Sequence, residues 1–591
     1  MSSIGGAFDI ARWSMYSSQL AIQITAHNIA NANTVGYSRQ SLRVEANNPI
    51  TTGPGQIGTG VRAAEVMRSY DAFINEQVSQ KTSEYFFWNA KRTAMEEIET
   101  IFNETDGFGI NAQMGEFWNA WSDLANHPEG IPEREALLAK TDNLIQHVRD
   151  IDYNLRFYQM HLDSGIRGSV GHINTLIEQI ADLNKSISSV EIDGLINAND
   201  LRDRRELLLE QLSEYLDISY YEEENSGQIM VYILGGTPLV LGKDAYELST
   251  ERNLSTGFAD ILWIDSSGRT VNITNKLKGG KISGWIDVRD RDIPSYLEML
   301  NTLSRELVWQ VNSLHAEGVG LNPVTSMVGT VSISQASDDL GADFLFSSRY
   351  QPGGTFEIVV YDQTGAVADT YVITPAGDTV QDLIDAVNSV SGGEISASLS
   401  GGTSGYFQIH ASGDFSFAIK KVPESQSNNS LALLGVNTFF SWSEQTGSMM
   451  EDITRTMDVN ASLKGNPHLI SAGYLDSEGR VAPGQNEVAR AIFSLQDKVI
   501  PDMGGGGTDT TLSTFYSAFI GKVGVDVTNA VQNEKYNDSL LAQYIRRKES
   551  ITGVNLDDEM AELLKFQHLY QAAAKMISIA DEMMQTLLSI K

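Results

Sequence analysis

The chain has 591 residues and a formal net charge of −34, because 76 acidic side chains outnumber 42 basic ones. A surface this acidic repels nucleic-acid phosphates and anionic lipid headgroups, so we expect no nucleic-acid and no membrane partner. The sequence contains no cysteine, which excludes disulfides, thiolate nucleophiles and sulfur-ligated metal sites. A chain of this length is expected to form three or more domains.

The first predicted element is a long helix with a heptad pattern. Its spacings alternate between four and three, which keeps one face against a partner helix. The members are Ile4, Phe8, Ala11, Met15, Ser18, Ile22, Thr25, Ile29 and Ala32. Gly36 suits a left-handed cap after the helix. Asn28, Asn31 and Asn33 are predicted cap and turn residues; the alternative is that they fix helix register in the assembled core, as a buried amide does in coiled coils.

Helices are also predicted over about 70–103 and 132–216, and proline is absent from Glu133–Thr237. Between them, Phe117, Trp118 and Trp121 are predicted to form an aromatic packing cluster. A hydrophobic stripe within the second segment consists of Ile166, Val170, Ile173, Ile177, Ile180 and Ile187.

The segment Leu201–Leu212 combines core leucines with a polar face. Its arginines, Arg202, Arg204 and Arg205, are predicted to pair with acidic neighbours on a solvated surface.

Downstream, the hydrophobic period changes to two, which predicts a small β domain over 218–288. A helix is predicted from Pro294, a favourable first-turn residue, and His315 near its end is interpreted as a core or capping histidine. The glycine-rich segment 325–445 is predicted to be an inserted β or α+β domain with one short helix near Thr379–Val390. Gly504–Gly507 is predicted to be a flexible connector.

The last helix has the most regular pattern. Its heptad members are Leu563, Phe566, Tyr570, Ala573, Ile577, Ala580, Met584 and Leu587. A flanking row, Leu569, Met576, Met583 and Ile590, widens the apolar face. A helix this apolar must bury its face against another element.

The sequence offers no recognisable catalytic constellation. The nine histidines include no zinc-protease pair, and there is no nucleophile elbow and no dinucleotide fingerprint. Asp287, Asp290 and Asp292 come closest to a metal site, but Arg289 and Arg291 interleave with them, which favours a solvated turn. We therefore predict no catalytic, cofactor-binding or metal-binding residues, and no enzyme activity.

Two terminal motifs resemble those of a known family. Ala26–Gln40 (AHNIANANTVGYSRQ) and Gly553–Glu559 (GVNLDDE), with the residues that follow to Leu588, are similar to the N- and C-terminal signatures of bacterial flagellar rod, hook and hook-associated axial proteins. The Gly-Tyr-Ser-Arg-Gln form at Gly36–Gln40 favours the hook-associated members. Three internal stretches agree with them: Asp123–Pro128, Leu201–Leu209 and Val311–Gly320.

The predicted fold is multidomain α+β. Residues 1–65 and 546–591 form a coiled-coil-like axial core, 66–217, 289–324 and 446–545 a helical bundle layer, and 218–288 and 325–445 β-rich outer domains inserted between helical segments. The predicted assembly interface comprises Ile22, Asn28, Ile29, Asn31 and the eight C-terminal heptad residues given above.

The resemblance implies a secreted, extracellular structural subunit that self-assembles at the distal end of the flagellar hook and joins hook to filament. Residues 1–11 lack a basic leader and an apolar run, and the family implies type III export instead. Implied partners are copies of the chain in a ring or helix, the hook protein, the second junction protein and a cytoplasmic export chaperone.

Two alternatives remain open. The chain could be a hook or distal-rod subunit, which the internal motifs disfavour. It could also be a secreted adhesin or glycan-binding protein that uses the glycine-rich insert.

Overall fold

The computed structural model describes residues 2–52, 55–102, 107, 109–191, 196–223, 226–233, 235–443, 452–503 and 509–589. The predicted connector Gly504–Gly507 lies outside these residues. The α-helices are α1 (Ser2–Asn31), α2 (Ala72–Phe102), α3 (Ile110–Asn126), α4 (Ile131–Val190), α5 (Asn199–Tyr215), α6 (Gly280–Asp287), α7 (Ile293–Ala316), α8 (Val380–Val390), α9 (Ser430–Leu433), α10 (Ile453–Thr456), α11 (Ala461–Gly465), α12 (Glu487–Phe493), α13 (Leu512–Thr552) and α14 (Leu556–Ser589).

The strands form small antiparallel sheets. They are β1 (Gln40–Ala46), β2 (Ile50–Thr52), β3 (Gly55–Ile57), β4 (Val61–Arg68), β5 (Ile218–Glu222), β6 (Ile229–Ile233), β7 (Thr237–Leu241), β8 (Asp244–Ala245), β9 (Leu248–Arg252), β10 (Ala259–Ile264), β11 (Thr270–Asn272), β12 (Ser326–Ile333), β13 (Phe356–Tyr361), β14 (Val367–Ile373), β15 (Ile395–Leu399), β16 (Gly405–Ala411), β17 (Ser416–Lys420), β18 (Phe440–Ser441) and β19 (Asp458–Val459).

The chain divides into two compact units. The first comprises Met1–Met95, Met160–Asp290 and Val527–Lys591, and the second comprises Glu96–Gln159 and Arg291–Asp526. Each unit is assembled from separate stretches of sequence, so long-range contacts hold it together.

The core of the first unit joins helices to the predicted β segment. The isoleucine stripe of α4 is buried, and it packs with Leu209 and Leu212 of α5 and with strands of the sheets β5-β6-β7-β8 and β9-β10-β11. In β6, burial alternates residue by residue, as the period of two predicts. The β structure ends at Asn272, and the segment closes with helix α6.

A second β element follows α1 in this unit. Strands β1 and β4 pair antiparallel with an irregularity between Arg43 and Val44, and β2 and β3 form a short hairpin between them. Both β1 and β4 contact α1. The β1–β4 pair therefore lies against α1 and joins the signature residues Ser38–Gln40 to the rest of the unit.

In the second unit, α7 is the central helix. The predicted aromatic cluster is confirmed: Phe117 and Trp121 of α3 are fully buried and pack against Phe439 and Phe440. These two phenylalanines lie within the range 325–445, yet their rings belong to the core around α3 and α7.

His315 of α7 is a core histidine, as predicted. It is fully buried; Nδ1 lies 2.7 Å from the carbonyl oxygen of Asn437, and Nε2 accepts a hydrogen bond from the backbone N–H of Ser471 at 2.9 Å. These contacts fix a neutral tautomer with the proton on Nδ1. Burial lowers its pKa to about 4.

The glycine-rich segment is α+β. It contains the sheets β12-β16-β15 and β14-β13-β17 and the helix α8. The predicted short helix near Thr379–Val390 is confirmed, and Thr379 and Asp382 close it with a capping box.

Candidate assembly interface

The two terminal helices pack along each other within the first unit. The last turn of α1 contacts the first turn of α14 through Asn28 and Glu559, so the helices run antiparallel. Apart from Ile24, the buried residues of α1 are small or polar: Ala11, Ser17, Ser18, Ala21, Thr25 and Asn28. Small side chains on one helix allow the larger side chains of the other to approach closely. The prediction of paired terminal helices is confirmed.

The predicted heptad residues of α14 share the face that carries Glu559, and we call this row the inner seam. Ala573 and Ala580 are buried, and Leu563, Phe566, Tyr570 and Ile577 are partly buried. Met584 is exposed, and the side chain of Leu587 lies outside the described residues. The inner seam therefore faces α1 of the same chain; contact with other copies stays a prediction.

Asn28 is the polar centre of the helix pair. It is 1% exposed, and its Nδ2 donates to the carbonyl oxygen of Gln40 at 2.8 Å and to Glu559 Oε2 at 2.9 Å. Its Oδ1 accepts from the Tyr37 hydroxyl at 2.7 Å and from the Gln40 N–H at 3.0 Å. A carboxamide has two N–H donors and two acceptor lone pairs, so every hydrogen-bonding position of Asn28 is used. Asn28 therefore fixes α1 against α14 within the chain, and a register role in the assembled core stays a prediction.

The other signature polar residues of α1 act locally. Asn31 donates to the carbonyl oxygen of His27 at 3.0 Å and accepts from the Thr34 hydroxyl at 3.2 Å, and Asn33 is exposed. Asn31 is therefore a cap residue, as predicted. Ile22 and Ile29, the remaining predicted interface residues of α1, are partly buried.

Gly36 has the predicted left-handed conformation, with φ of 80°, but it does not cap the helix. The N–H of Tyr37 bonds to the carbonyl oxygen of Thr34, so Gly36 is the third residue of a β-turn, where positive φ favours glycine. This turn brings the next residues back to the start of α14.

Arg39 links the two terminal signatures. Its N–H donates to the carbonyl oxygen of Thr552 at 2.8 Å, and its Nε donates to Glu559 Oε1 at 2.6 Å. Glu559 is 2% exposed, and its two carboxylate oxygens bind Arg39 and Asn28 separately. Glu559 is not among the interface residues predicted from the sequence, although an acidic residue four positions before Leu563, on the same helix face, indicates a buried partner.

The loop that contains Tyr37, Ser38 and Arg39, which we call the signature loop, is also anchored to α5. The N–H of Ser38 donates to Asp203 Oδ2 at 2.8 Å, and Arg68 Nη1 donates to Asp203 Oδ1 at 3.0 Å. Burial and the nearby carboxylates of Asp200, Asp203 and Glu559 raise the pKa of the Tyr37 hydroxyl, so this phenol stays a neutral donor to Asn28. The signature loop is thus held by α1, α5 and α14 at once.

The solvated face predicted for α5 is wrong for Arg205. This side chain is fully buried, and it donates to Asn184 Oδ1 at 2.9 Å, to the carbonyl oxygen of Gly227 at 2.7 Å and to Glu222 at 3.0 Å. Arg204, the next residue back, is exposed. The physical reason is that fixed acceptors replace the water around both terminal nitrogens of Arg205, which periodicity within one helix cannot reveal.

A second apolar row of α14 is exposed, and we call it the outer seam. It consists of Leu569, Ala572, Met576, Ile579 and Met583, again with spacings of three and four. The exposed fractions of the four larger side chains are 45%, 46%, 44% and 52%, against 3% for Ala573 and 4% for Ala580 of the inner seam. One helix thus carries two heptad faces, and among the described residues only the inner seam is paired.

The three aspartates that came closest to a metal site in the sequence instead form ion pairs. Asp287 binds Lys91, Asp290 binds Arg289, and Asp292 binds Arg291. Across the described residues, no group of three or more metal-ligating side chains is placed to hold an ion. The same residues include no helix that is long and apolar enough to cross a membrane.

Comparison with known proteins gives consistent results at each level. A family profile described as the flagellar hook-associated protein FlgK helical domain matches residues 95–327, and one described as the flagellar basal body rod FlgEFG protein C-terminal matches 550–590. Flagellar hook-associated protein 1 of Bacillus subtilis is 23% identical over 100% of this chain and 99% of its own length. The Escherichia coli protein of the same name is 23% identical over 97% of this chain and 98% of its own length.

Over nearly its whole length, the chain is similar to flagellar hook-associated protein 1.

A solved structure supports the fold. The flagellar hook junction protein FlgK from Burkholderia pseudomallei aligns with a TM-score of 0.51 at 16% identity, over 81% of this chain and 100% of that chain. The basal-body-rod C-terminal profile covers α14 with both of its seams. The hook-associated helical-domain profile includes the buried Arg205. The regions that the family profiles match thus include α14 and the buried arginine of α5.

Proposed function

We propose that this protein is a structural subunit of the bacterial flagellum, that it assembles with copies of itself at the distal end of the hook, and that it joins the hook to the filament. The observation that carries the proposal is the outer seam of α14, a regular heptad face left exposed after α14 has paired with α1. Unpaired heptad faces are buried by further helices. A second copy of the chain supplies such helices.

The geometry supports a helical layer built from many chains. Each copy presents the α1–α14 pair as one unit, whose internal register is set by Asn28 and Glu559. The exposed Trp13 and Tyr16 of α1 add apolar surface to that pair. A continuing tube of helices needs two different contact surfaces on each copy. The outer seam supplies one of them, and the face of α1 that carries Trp13 and Tyr16 supplies the other.

The remaining partners follow from the family. We propose that the assembled subunits contact the hook protein on one side and the second junction protein on the other, and that an export chaperone covers the C-terminal helix before secretion. The protein acts outside the cell, without a catalytic site. The hook or rod alternative is disfavoured by the match of residues 95–327 to the hook-associated helical domain.

The test is a charge in the outer seam. Ile579→Asp places a carboxylate where the proposal buries apolar surface between copies, and an unpaired buried charge costs several kcal/mol. We expect cells with this variant to export the protein, to carry hooks without filaments in electron micrographs, and to lose flagellin to the medium. The purified variant should keep the circular dichroism and melting temperature of the parent.

The matched control is Ser578→Asp, one residue away on another face of α14, where the same charge meets water. Cells with this variant should build filaments. Normal junctions with Ile579→Asp would exclude the outer seam as the contact between copies and would remove the main support for the proposal.

A further inference from the structure

We infer that Met576 and Met583 form an oxidation site of the free subunit, and that oxidation of their thioethers by a peroxide blocks incorporation of the subunit. This inference rests on the proposed function, because it assigns the outer seam to contact between copies.

The first observation is where the accessible sulfur lies. Within the described part of the chain, the methionines with more than a third of their surface exposed are Met67 (39%), Met160 (54%), Met560 (50%), Met576 (46%), Met583 (52%) and Met584 (43%). Four of these six belong to α14. Others are sealed in cores, such as Met95 and Met457, which are 0% exposed.

The second observation is that the chain contains no cysteine. A thiolate is the side chain that usually reacts first with peroxides, and none is present to consume the oxidant. Within the described residues, the accessible sulfur of the free subunit therefore lies at Met67, at Met160 and on α14, where most of the exposed thioethers are clustered.

The chemical step is a balanced two-electron oxidation. The sulfur lone pair attacks one oxygen of hydrogen peroxide, the O–O bond breaks, and the other oxygen leaves as water after proton transfer. The thioether becomes a sulfoxide and loses two electrons, which reduce the peroxide. The product is polar and chiral.

The consequence follows from the position of the two residues. Met576 and Met583 are seven residues apart, on the same line of the outer seam, so both sulfoxides would have to enter one apolar contact. A polar group buried without a hydrogen-bond partner is unfavourable, and the penalty recurs in every subunit. Assembled subunits are protected, because the seam is then covered. Oxidants outside the cell would thus stop the addition of new subunits and leave existing junctions intact.

The experiment uses purified full-length protein and isolated hooks that end without junction subunits. The protein is treated with hydrogen peroxide, quenched with free methionine, mapped for sulfoxides by mass spectrometry, and added to the hooks. We expect the concentration for half-maximal capping of hooks, measured by electron microscopy, to rise at least tenfold after oxidation. Treatment with both stereospecific methionine sulfoxide reductases should return this concentration to the value of the untreated protein.

Two double variants assign the effect. Met576→Leu with Met583→Leu conserves volume and apolarity, so this variant should cap hooks normally. Its concentration for half-maximal capping should change by less than twofold after peroxide treatment. Met67→Leu with Met160→Leu removes exposed methionines elsewhere and should be inhibited like the parent. Equal inhibition of both double variants, or equal capping by the oxidised and untreated parent, would overturn the inference. Failure of the untreated parent to cap hooks would instead contradict the proposed function.

Discussion

Asn28 in α1 donates a hydrogen bond from its side-chain amide to the carboxylate of Glu559 in α14, although 531 residues separate the two in sequence. The bond lies inside the helix pair, where Arg39 holds the other oxygen of the same carboxylate. It fixes the register of α1 against α14, and with it the face of α14 that remains open.

Asn28→Asp is the most direct test of this register. The change replaces a donor by a carboxylate against Glu559, which should destabilise the helix pair by about 3 kcal/mol. Hydrogen exchange in α1 and α14 should accelerate by roughly a hundredfold, while exchange in the second unit stays unchanged. Asn33→Asp, at an exposed position of the same signature, should have little effect. Unaltered exchange in Asn28→Asp would show that the amide does not set the register.

The two seams of α14 can be separated by neighbouring substitutions. Ile577 is partly buried on the inner seam and Ile579 is exposed on the outer seam. Ile577→Asp should disturb the α1–α14 pair in the free chain, because the charge enters the apolar contact between the helices. The expected result is faster hydrogen exchange in α1 for Ile577→Asp and parental exchange for Ile579→Asp. Identical exchange in both variants would contradict the assignment of faces.

Arg205 should matter far more for stability than its neighbour Arg204. Arg205→Ala removes the buried donor of the Gly227 carbonyl and one donor each from Asn184 and Glu222, which keep the Ile229 N–H and Arg202. The loss of these buried hydrogen bonds should cost about 1–3 kcal/mol. Arg204→Ala removes an exposed side chain and should change stability by less than about 0.5 kcal/mol. Urea titrations that follow the first unit by far-UV circular dichroism would measure the difference. Equal urea midpoints for the two variants would show that Arg205 contributes no more to stability than Arg204.

Gly280 and Gly168 offer a matched pair of glycines. Gly280 has φ of 75°, and a Cβ there would lie 2.3 Å from the backbone carbonyl of Tyr215, so Gly280→Ala should destabilise by more than about 2 kcal/mol. Gly168 lies within α4, and a Cβ added there would meet no neighbouring atom within 4 Å, so Gly168→Ala should raise stability by up to about 1 kcal/mol. The melting temperatures should therefore move in opposite directions.

The second unit should lose stability in mild acid because of His315. Its pKa is lowered from 6.5 to about 4 in the folded protein, mainly by burial. Between these values the unfolded state binds more protons, so the stabilising contribution is complete above pH 6.5 and is lost as the pH falls towards about 4. The full loss is about 3 kcal/mol. Urea unfolding followed by the fluorescence of Trp121, which packs against this imidazole, would measure it.

His315→Gln is the control for that pH dependence. A glutamine amide can donate to Asn437 and does not titrate, so the variant should unfold at urea concentrations that vary less between pH 7 and pH 5. If the urea midpoint of His315→Gln changes with pH as much as that of the parent, the acid sensitivity belongs to other groups.

The sequence by itself determined the elements whose cause is local. The heptad of α14, the stripe of α4 and the alternation of β6 record which face of each element is apolar, and the capping box of α8 lies within four residues of chain. Each of these patterns follows from the period of its own backbone. The heptad predicted for α1 is only partly right, because Ala21 and Asn28 are buried where Ile22 and Ile29 were expected.

Only the tertiary structure decided which surfaces meet. A heptad specifies a face and leaves its partner open, so the pairing of the inner seam with α1 and the exposure of the outer seam were settled by the folded chain. The roles of Asn28 and Arg205 also depend on acceptors and donors far away in sequence: Glu559 in one case, and Asn184, Gly227 and Glu222 in the other. A polar side chain is buried or solvated according to whether such partners replace its water, and that replacement is a property of the tertiary structure.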